Sequence, residues 1–190
     1  MNEVLERLEQ AVRRLEACPE FALLVPEVRV NFVYAKEHAN EPAQVAGVDG
    51  RITVVGGAPK ASGPVRFGVS DHMARLVIEA NRYEPTIRSG LNFRWNENIF
   101  EFVRSYAGPH GLGLGGVDRA TEPEELIGRD RSSIPWKVRR LVEQHGTVPP
   151  ICYETRGWGK EPLFFILGPD PDWVANLAIE LARGFAVRTG

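Results

Sequence analysis

The sequence predicts an α/β fold in which helices cover a mixed, partly antiparallel β-sheet. Two observations support this prediction. Segments with apolar residues at helical spacing are mixed throughout the chain with short apolar runs typical of strands. Several of these runs are joined by short glycine turns, which favour antiparallel neighbours over a doubly wound parallel sheet. We find no internal repeat and no linker that would divide the chain into two domains.

Composition limits the class of protein. With 190 residues, 43% hydrophobic and 25% charged, the chain can form one domain with a substantial core. Its net charge of −2 gives no global field for nucleic acid, so any anion site must be built locally. Cys18 and Cys152 are too far apart for a zinc motif and form no disulfide framework. No apolar run is long enough to span a membrane. We therefore expect a soluble cytoplasmic protein with no nucleic acid or membrane partner.

The chain begins with an amphipathic pattern. Residues 1–20 predict one N-terminal helix ending near Pro19, and residues 21–190 are expected to form the main domain. The apolar face of the helix consists of Val4, Leu5, Leu8, Val12 and Leu15.

The remaining elements follow from periodicity and from glycine and proline positions. Residues 28–35 alternate and predict a strand, and further strands are predicted at 45–48, 52–55, 65–69, 86–93, 150–153 and 163–167. Helices are predicted at 72–84, 96–106, 134–146 and from Pro171 onward, with a short one after Thr121. Ser70 or Asp71 is expected to cap the first of these, and Asp170 the last.

The spacing of Gly111, Gly113 and Gly116 fits the dinucleotide fingerprint G-x-G-x-x-G. That fingerprint needs a strand before it and a helix at its third glycine. Here a helical pattern precedes the glycines and an extended segment follows, so we interpret them as a loop that enters a strand.

Arg51 and His72 are the first candidates for chemistry. Arg51 closes a turn bounded by Gly47 and Gly50, where a guanidinium can present several donors to a phosphate. His72 opens a predicted helix and can supply a proton or a donor at neutral pH. Together they indicate a site for phosphorylated small molecules, whereas a solvated turn arginine and a capping histidine are the structural alternative.

The segment 156–162 and the serine pair at 132–133 are further anion candidates. Gly157 and Gly159 flank a tryptophan and allow close backbone approach, while Lys160 provides a point charge that Glu161 could orient. A hairpin turn with a solvated ion pair is the alternative. Ser132 and Ser133 are predicted to lie at a helix start, where the dipole favours anions, with simple capping as the alternative.

Three polar residues fall in predicted strands. Asn31 is expected to form a structural hydrogen bond if it is buried. Asn92 and Arg94 alternate, so both should point to one face, where Arg94 supplies a second guanidinium or a surface ion pair. His38, His110 and His145 have no second ligand at metal spacing, so the sequence predicts no protein-held metal site.

Taken in order, several motifs resemble those of ThiN-type thiamine-phosphate synthase domains. The matching segments, spread over roughly residues 21–186, are 24–29, 31–35, 45–52, 67–75, 92–95, 132–136 and 159–162. The resemblance implies a three-layer α/β/α sandwich with a mixed, largely antiparallel sheet, like that of class II sugar-phosphate aldolases. It also implies a homodimer. Because related domains are often fused to a pyrimidine kinase, it further implies such a kinase as a partner.

The resemblance also implies an activity. The family reaction joins hydroxymethylpyrimidine diphosphate to hydroxyethylthiazole phosphate, giving thiamine phosphate and pyrophosphate, so a transferase of thiamine biosynthesis is expected. Magnesium would arrive with the diphosphate, and no organic cofactor is expected. Arg51 and His72 match the catalytic positions, where the arginine would grip phosphate and the histidine would donate to a phosphate oxygen. The candidate substrate and phosphate contacts are Asn31, Ser70, Asn92, Arg94, Ser132, Ser133, Gly159, Lys160 and Glu161.

Two alternatives stay open at this point. Related archaeal regulators sense thiamine phosphate, so a non-catalytic sensing module acting through a partner is the first. Asp71 is relevant to the sensing alternative. A small hydroxyl residue is commoner beside the family histidine, and a carboxylate there could weaken anion binding. The second is a metal-dependent aldolase or epimerase, which the four histidines disfavour because none belongs to a His-x-His pair.

Overall fold

The computed structural model describes residues 2–126, 130–155, 157 and 161–189. Their helices are α1 (Glu3–Glu16), α2 (His72–Tyr83), α3 (Glu97–Ala107), α4 (Asp130–His145) and α5 (Pro171–Thr189). Their strands are β1 (Phe32–Ala35), β2 (Val45–Val48), β3 (Ile52–Val55), β4 (Ala58–Ala61), β5 (Val65–Phe67), β6 (Ser89–Arg94), β7 (Leu114–Val117), β8 (Ile151–Glu154) and β9 (Leu163–Gly168).

Seven of these strands form one sheet in the order β5-β2-β1-β6-β9-β8-β7. Every neighbouring pair is antiparallel except β7 and β8, which run parallel, with Val117 opposite Glu154. The parallel pair requires a crossover connection, which α4 supplies. The expectation of a mixed, largely antiparallel sheet is confirmed.

Helices cover both faces of this sheet. Side chains alternate along each strand, so Leu91 and Phe93 of β6 pack into a core with α1, α3 and α5, and Phe165 of β9 packs into a second core with α2 and α4. Both cores contain large side chains that are almost completely removed from water. The molecule therefore has three layers. The candidate site lies on the face of the sheet that α2 and α4 cover.

The helices confirm the apolar patterns of the sequence. In α1 the residues Leu8, Val12 and Leu15 are buried, and the helix packs on α5. In α5 the same holds for Leu177 and Leu181, and the Asp170 carboxylate caps the helix by accepting a hydrogen bond from the Trp173 N–H at 2.8 Å. No helix in the described part of the chain combines the length and the apolarity needed to cross a bilayer.

Two predicted boundaries differ most from the observed ones. The strand expected at 28–35 is regular only over β1, because Arg29 adopts a left-handed backbone with φ 66° and interrupts the extended chain. Helix α4 begins at Asp130 rather than near Ile134, so Pro135 lies inside it. There Pro135 lacks an N–H donor and interrupts the helical hydrogen-bond ladder.

A small second sheet contains one strand that the sequence analysis predicted, β3, and one that it did not, β4. Strand β3 turns at Gly56 and Gly57, which have φ values of 58° and 81°, and pairs with β4 as a hairpin. A bridge between Val30 and Ile52 ties this hairpin to the segment before β1.

The interpretation of the glycine loop is confirmed. Gly116 lies in β7, and the Tyr153 ring covers it so closely that an added Cβ would lie 2.2 Å from a ring carbon. No helix begins at this glycine, as a dinucleotide site would require.

Candidate functional site

The structure brings Arg51 and His72 together at one cavity of about 240 Å³. The cavity lies at the end of the sheet where β8 ends and β9 begins, on the face covered by α2. Its described lining consists of Val28, Asn31, Arg51, His72, Met73, Asn92, Arg119, Glu154, Glu161, Leu163 and Phe165. Cationic, amide and apolar side chains therefore share one opening.

Arg51 reaches the cavity from a tight turn. Its N–H donates to the Val48 carbonyl at 3.1 Å, and Gly50 and Arg51 both have left-handed backbones, with φ values of 73° and 72°. Glycine accepts this conformation without cost, whereas a side chain does so at about 1 kcal/mol. The Arg51 guanidinium then donates to the Val28 carbonyl oxygen at 2.5 Å. The turn and this contact together fix where the guanidinium lies.

His72 is the first residue of α2, where unpaired backbone N–H groups and the helix dipole favour an anion. Its ring packs against Phe165, with ring centroids 6.4 Å apart. The neighbouring Asp71 occupies the N-cap position, but the expected capping hydrogen bond from its side chain does not form. Instead the Asp71 carboxylate accepts hydrogen bonds from Nε of Arg75 at 3.0 and 2.9 Å, and this contact raises the pKa of Arg75. Arg75 therefore balances the negative charge beside His72.

Glu161 and Asn92 line another part of the cavity wall. The Glu161 carboxylate accepts hydrogen bonds from the N–H groups of Glu27 and Val28, both at 3.1 Å. The Asn92 side chain donates to the Arg29 carbonyl at 3.0 Å and accepts from the Asn31 N–H at 2.6 Å. Both side chains line the cavity, but their described contacts stabilise the backbone of residues 27–31.

A buried ion-pair network forms another side of the cavity. Arg119 donates to Glu122 at 2.9 Å and to Glu154 at 3.2 Å, and Lys137 donates to both oxygens of Glu154 at 2.8 Å. All four side chains are less than a tenth exposed. Within the described part of the chain, two cations and two anions make up this network, so their charges balance. Gly157 passes so close to Arg119 that an added Cβ would lie 2.9 Å from Nε.

The charge state of Glu154 depends on its neighbours. Burial raises the pKa of this carboxyl group, but the charges of Lys137, His72 and Arg119 lower it by more, and the net pKa lies below the ordinary value. Glu154 is therefore ionised at neutral pH. In contrast, burial raises the pKa of Cys152, whose thiol donates to the Pro149 carbonyl and is unreactive.

The predicted contacts divide into three groups. Asn31, Asn92 and Glu161 line the cavity with Arg51 and His72. Among the described residues, the lining does not include Ser70, Arg94, Ser132 or Ser133. The last two were expected at the start of a helix, but α4 begins at Asp130 and includes both. Gly159 and Lys160 lie outside the described residues, so their roles stay predictions.

Sequence reasoning missed the ion-pair network. One signal was available for Lys137, which shares the apolar stripe of Ile134, Val138 and Leu141 on α4 and should therefore have been suspected of burial. Glu154 ends an apolar strand, which is a weaker signal. Arg119, which follows β7, gave no signal of burial in the sequence. Within the described residues, no group of three or more Cys, His, Asp and Glu side chains could hold a metal ion.

Comparisons with known proteins show which family the chain resembles. The family model for thiamine-phosphate synthase ThiN matches residues 7–180. The thiamine-phosphate synthase ThiN of Methanothermobacter thermautotrophicus is 34% identical over 95% of this chain and 93% of its own length. The bifunctional thiamine biosynthesis protein ThiDN of Methanocaldococcus jannaschii is 29% identical over 77% of this chain, which spans 33% of that protein.

A solved structure has a similar fold. The C-terminal domain of phosphomethylpyrimidine kinase superimposes with a TM-score of 0.88 and 37% sequence identity, covering 94% of this chain and 97% of that domain. The family model spans the residues that build the cavity, from Val28 to Phe165. The chain therefore belongs to the thiamine-phosphate synthase ThiN family.

Proposed function

We propose that the protein is a thiamine-phosphate synthase acting in thiamine biosynthesis. In the proposed reaction, hydroxymethylpyrimidine diphosphate and hydroxyethylthiazole phosphate give thiamine phosphate and pyrophosphate. Family membership supports the biosynthetic role. The observation that carries the reaction is the meeting of Arg51 and His72 at one cavity beside the start of α2.

The proposed chemistry is an alkyl transfer. The bond between the pyrimidine methylene carbon and the diphosphate oxygen breaks, and its electron pair leaves with pyrophosphate. The thiazole nitrogen then donates its lone pair to the methylene carbon, forming the new C–N bond. Negative charge grows on the leaving group, so catalysis needs fixed positive donors more than a strong base.

The residues of the cavity suit this demand. Arg51 would hold the diphosphate through its guanidinium, exchanging the Val28 carbonyl for phosphate oxygens. His72 would donate a proton or a hydrogen bond to the departing oxygen, supported by the backbone N–H groups of the first turn of α2. Magnesium, carried by the diphosphate, would neutralise part of the charge.

The apolar part of the lining suits the substrate rings. Met73, Leu163 and Phe165 lie beside the charged groups and would pack against the pyrimidine and thiazole rings. Lys160, Ser132, Ser133 and Arg94 stay weaker candidates for phosphate contacts. A homodimer, a pyrimidine kinase partner and a fold related to class II aldolases belong to this proposal as well. The relative named bifunctional supports the kinase partner.

A condensation assay tests the proposal. The purified protein is mixed with both substrates and magnesium, and thiamine phosphate and pyrophosphate are measured together, with a chelator as the metal control. Stoichiometric formation of both products is expected. Tight binding of thiamine phosphate without any condensation would instead identify a sensing module that acts through a partner.

A further inference from the structure

The side chain of Asn31 is a hydrogen-bonding group at the cavity that no described residue uses. Asn31 lines the cavity and is partly buried. Its backbone is fully engaged, because its N–H donates to Oδ1 of Asn92 at 2.6 Å and its carbonyl accepts from the Asn92 N–H at 3.3 Å. Its carboxamide forms no hydrogen bond with any residue that the structure describes.

The backbone on either side of Asn31 sets the direction of its side chain. Val30 exchanges two backbone hydrogen bonds with Ile52, both at 2.9 Å, and Phe32 begins β1. Val30 and Phe32 are completely buried in the core under α1 and α5. Since side chains alternate along an extended chain, Asn31 points to the other face, the one that carries the cavity. The backbone therefore directs the side chain toward the cavity before any ligand binds.

The chemistry of the surroundings indicates what this amide would meet. A carboxamide offers an acceptor and two donors in one plane. Here it shares the cavity with apolar side chains, including Phe165, and with Arg51 and His72. A flat aromatic ring with a phosphate-bearing substituent fits such a lining. A ring nitrogen beside an exocyclic amino group presents an acceptor and a donor side by side, which an asparagine can pair with at two points, as it does with adenine.

We propose that Asn31 determines specificity for the pyrimidine substrate by pairing its carboxamide with the ring nitrogen and the neighbouring amino group. This inference rests on the proposed function, because it takes the aminopyrimidine diphosphate as the ligand. The Asn92 side chain binds the backbone just before this amide, at the Arg29 carbonyl and the Asn31 N–H.

A thermodynamic cycle tests the pairing. Binding of the aminopyrimidine diphosphate and of its analogue without the amino group is measured by calorimetry for the wild-type protein and for Asn31→Ala. In the wild type, loss of the amino group should weaken binding about tenfold, as expected for one or two hydrogen bonds. In the variant, the two ligands should bind within about twofold of each other, because the partner of the amino group is gone.

Two further variants and one kinetic measurement complete the test. If Asn31→Ala does not fold, Asn31→Ser replaces it in the cycle, because serine keeps a polar group but lacks the carboxamide. Asn40→Ser, on an exposed loop, is the matched control. The KM for the thiazole phosphate should stay unchanged in every variant. If loss of the amino group weakened binding by the same factor in the wild type and in Asn31→Ala, the role of Asn31 would be overturned. Binding without condensation would overturn only the proposed enzyme activity, while the cycle would still decide the pairing.

Discussion

The guanidinium of Arg51 and the carbonyl oxygen of Val28 are joined by a hydrogen bond of 2.5 Å at the edge of the cavity. The N–H of the same Val28 donates to Glu161, so one peptide segment is held from both sides by side chains of the site. An arriving phosphate would compete with the carbonyl for the same donor. Binding of substrate and the conformation of the wall are therefore coupled.

The first prediction concerns Arg51 itself. Arg51→Ala should lower kcat about 10²- to 10³-fold, because a fixed donor to the leaving group is lost. Arg51→Lys should recover little of this loss, since an ammonium group cannot reproduce the guanidinium fork. Steady-state kinetics measures both, and thermal unfolding confirms that the variants fold. Near-normal turnover of Arg51→Ala would show that another cation serves the diphosphate.

The second prediction concerns Glu161. Glu161→Ala should speed hydrogen exchange at the amides of Glu27 and Val28 and raise KM, because both N–H groups lose their acceptor. Exchange is measured by NMR or mass spectrometry, with the exposed Glu41→Ala as a matched control. Unchanged exchange at these amides would mean that the carboxylate does not hold the wall.

The third prediction concerns the buried network. Glu154→Gln should destabilise the protein by about 3 kcal/mol or more, because Lys137 and Arg119 would keep buried charges without their shared partner. The double variant Glu154→Gln, Lys137→Met should be more stable than the single one, since an apolar side chain fits the stripe of α4. Denaturant unfolding of both single variants and of the double variant measures the coupling between the two residues. Free energies of unfolding that simply add would contradict this coupling.

The fourth prediction is the effect of acid. The pKa of Glu154 is lower in the folded than in the unfolded protein, where it is near the ordinary 4.5. Its contribution to stability is therefore complete above about pH 4.5 and is lost as pH falls through the folded pKa. The free energy of unfolding should decline below pH 4.5 in the wild type and decline less steeply in the double variant. Parallel curves for the two proteins would exclude Glu154 as the source.

The fifth prediction concerns Asp71. Asp71→Ser should change kcat by less than about threefold, because Arg75 already balances the carboxylate beside His72. The same substitution in an Arg75→Ala background should raise activity, since the carboxylate would there have lost its ion pair with Arg75 and would oppose anion binding more strongly. Kinetics of the four proteins separates the two effects.

Local patterns predicted much of the fold and part of the site. The stripes of α1 and α5 and the turn that delivers Arg51 depend on residues close together in sequence, so periodicity and Gly50 were sufficient. The left-handed Arg29 was not predictable, because its conformation depends on Asn92, which is 63 residues away. Likewise Arg119, Glu154 and Lys137 meet only through the parallel pairing of β7 with β8, which no local pattern encodes.

The position of β9 has a consequence for how the protein is made. This last strand of the sequence lies between β6 and β8, so it alone joins the two parts of the large sheet. During synthesis, the part formed by β5, β2, β1 and β6 can assemble early, but β6 keeps an open edge until residues 163–168 leave the ribosome. The two halves of the cavity wall, Asn92 on β6 and Glu154 on β8, then come together in a single late step. A nascent chain that stalls before β9 would have an exposed strand edge and no binding site.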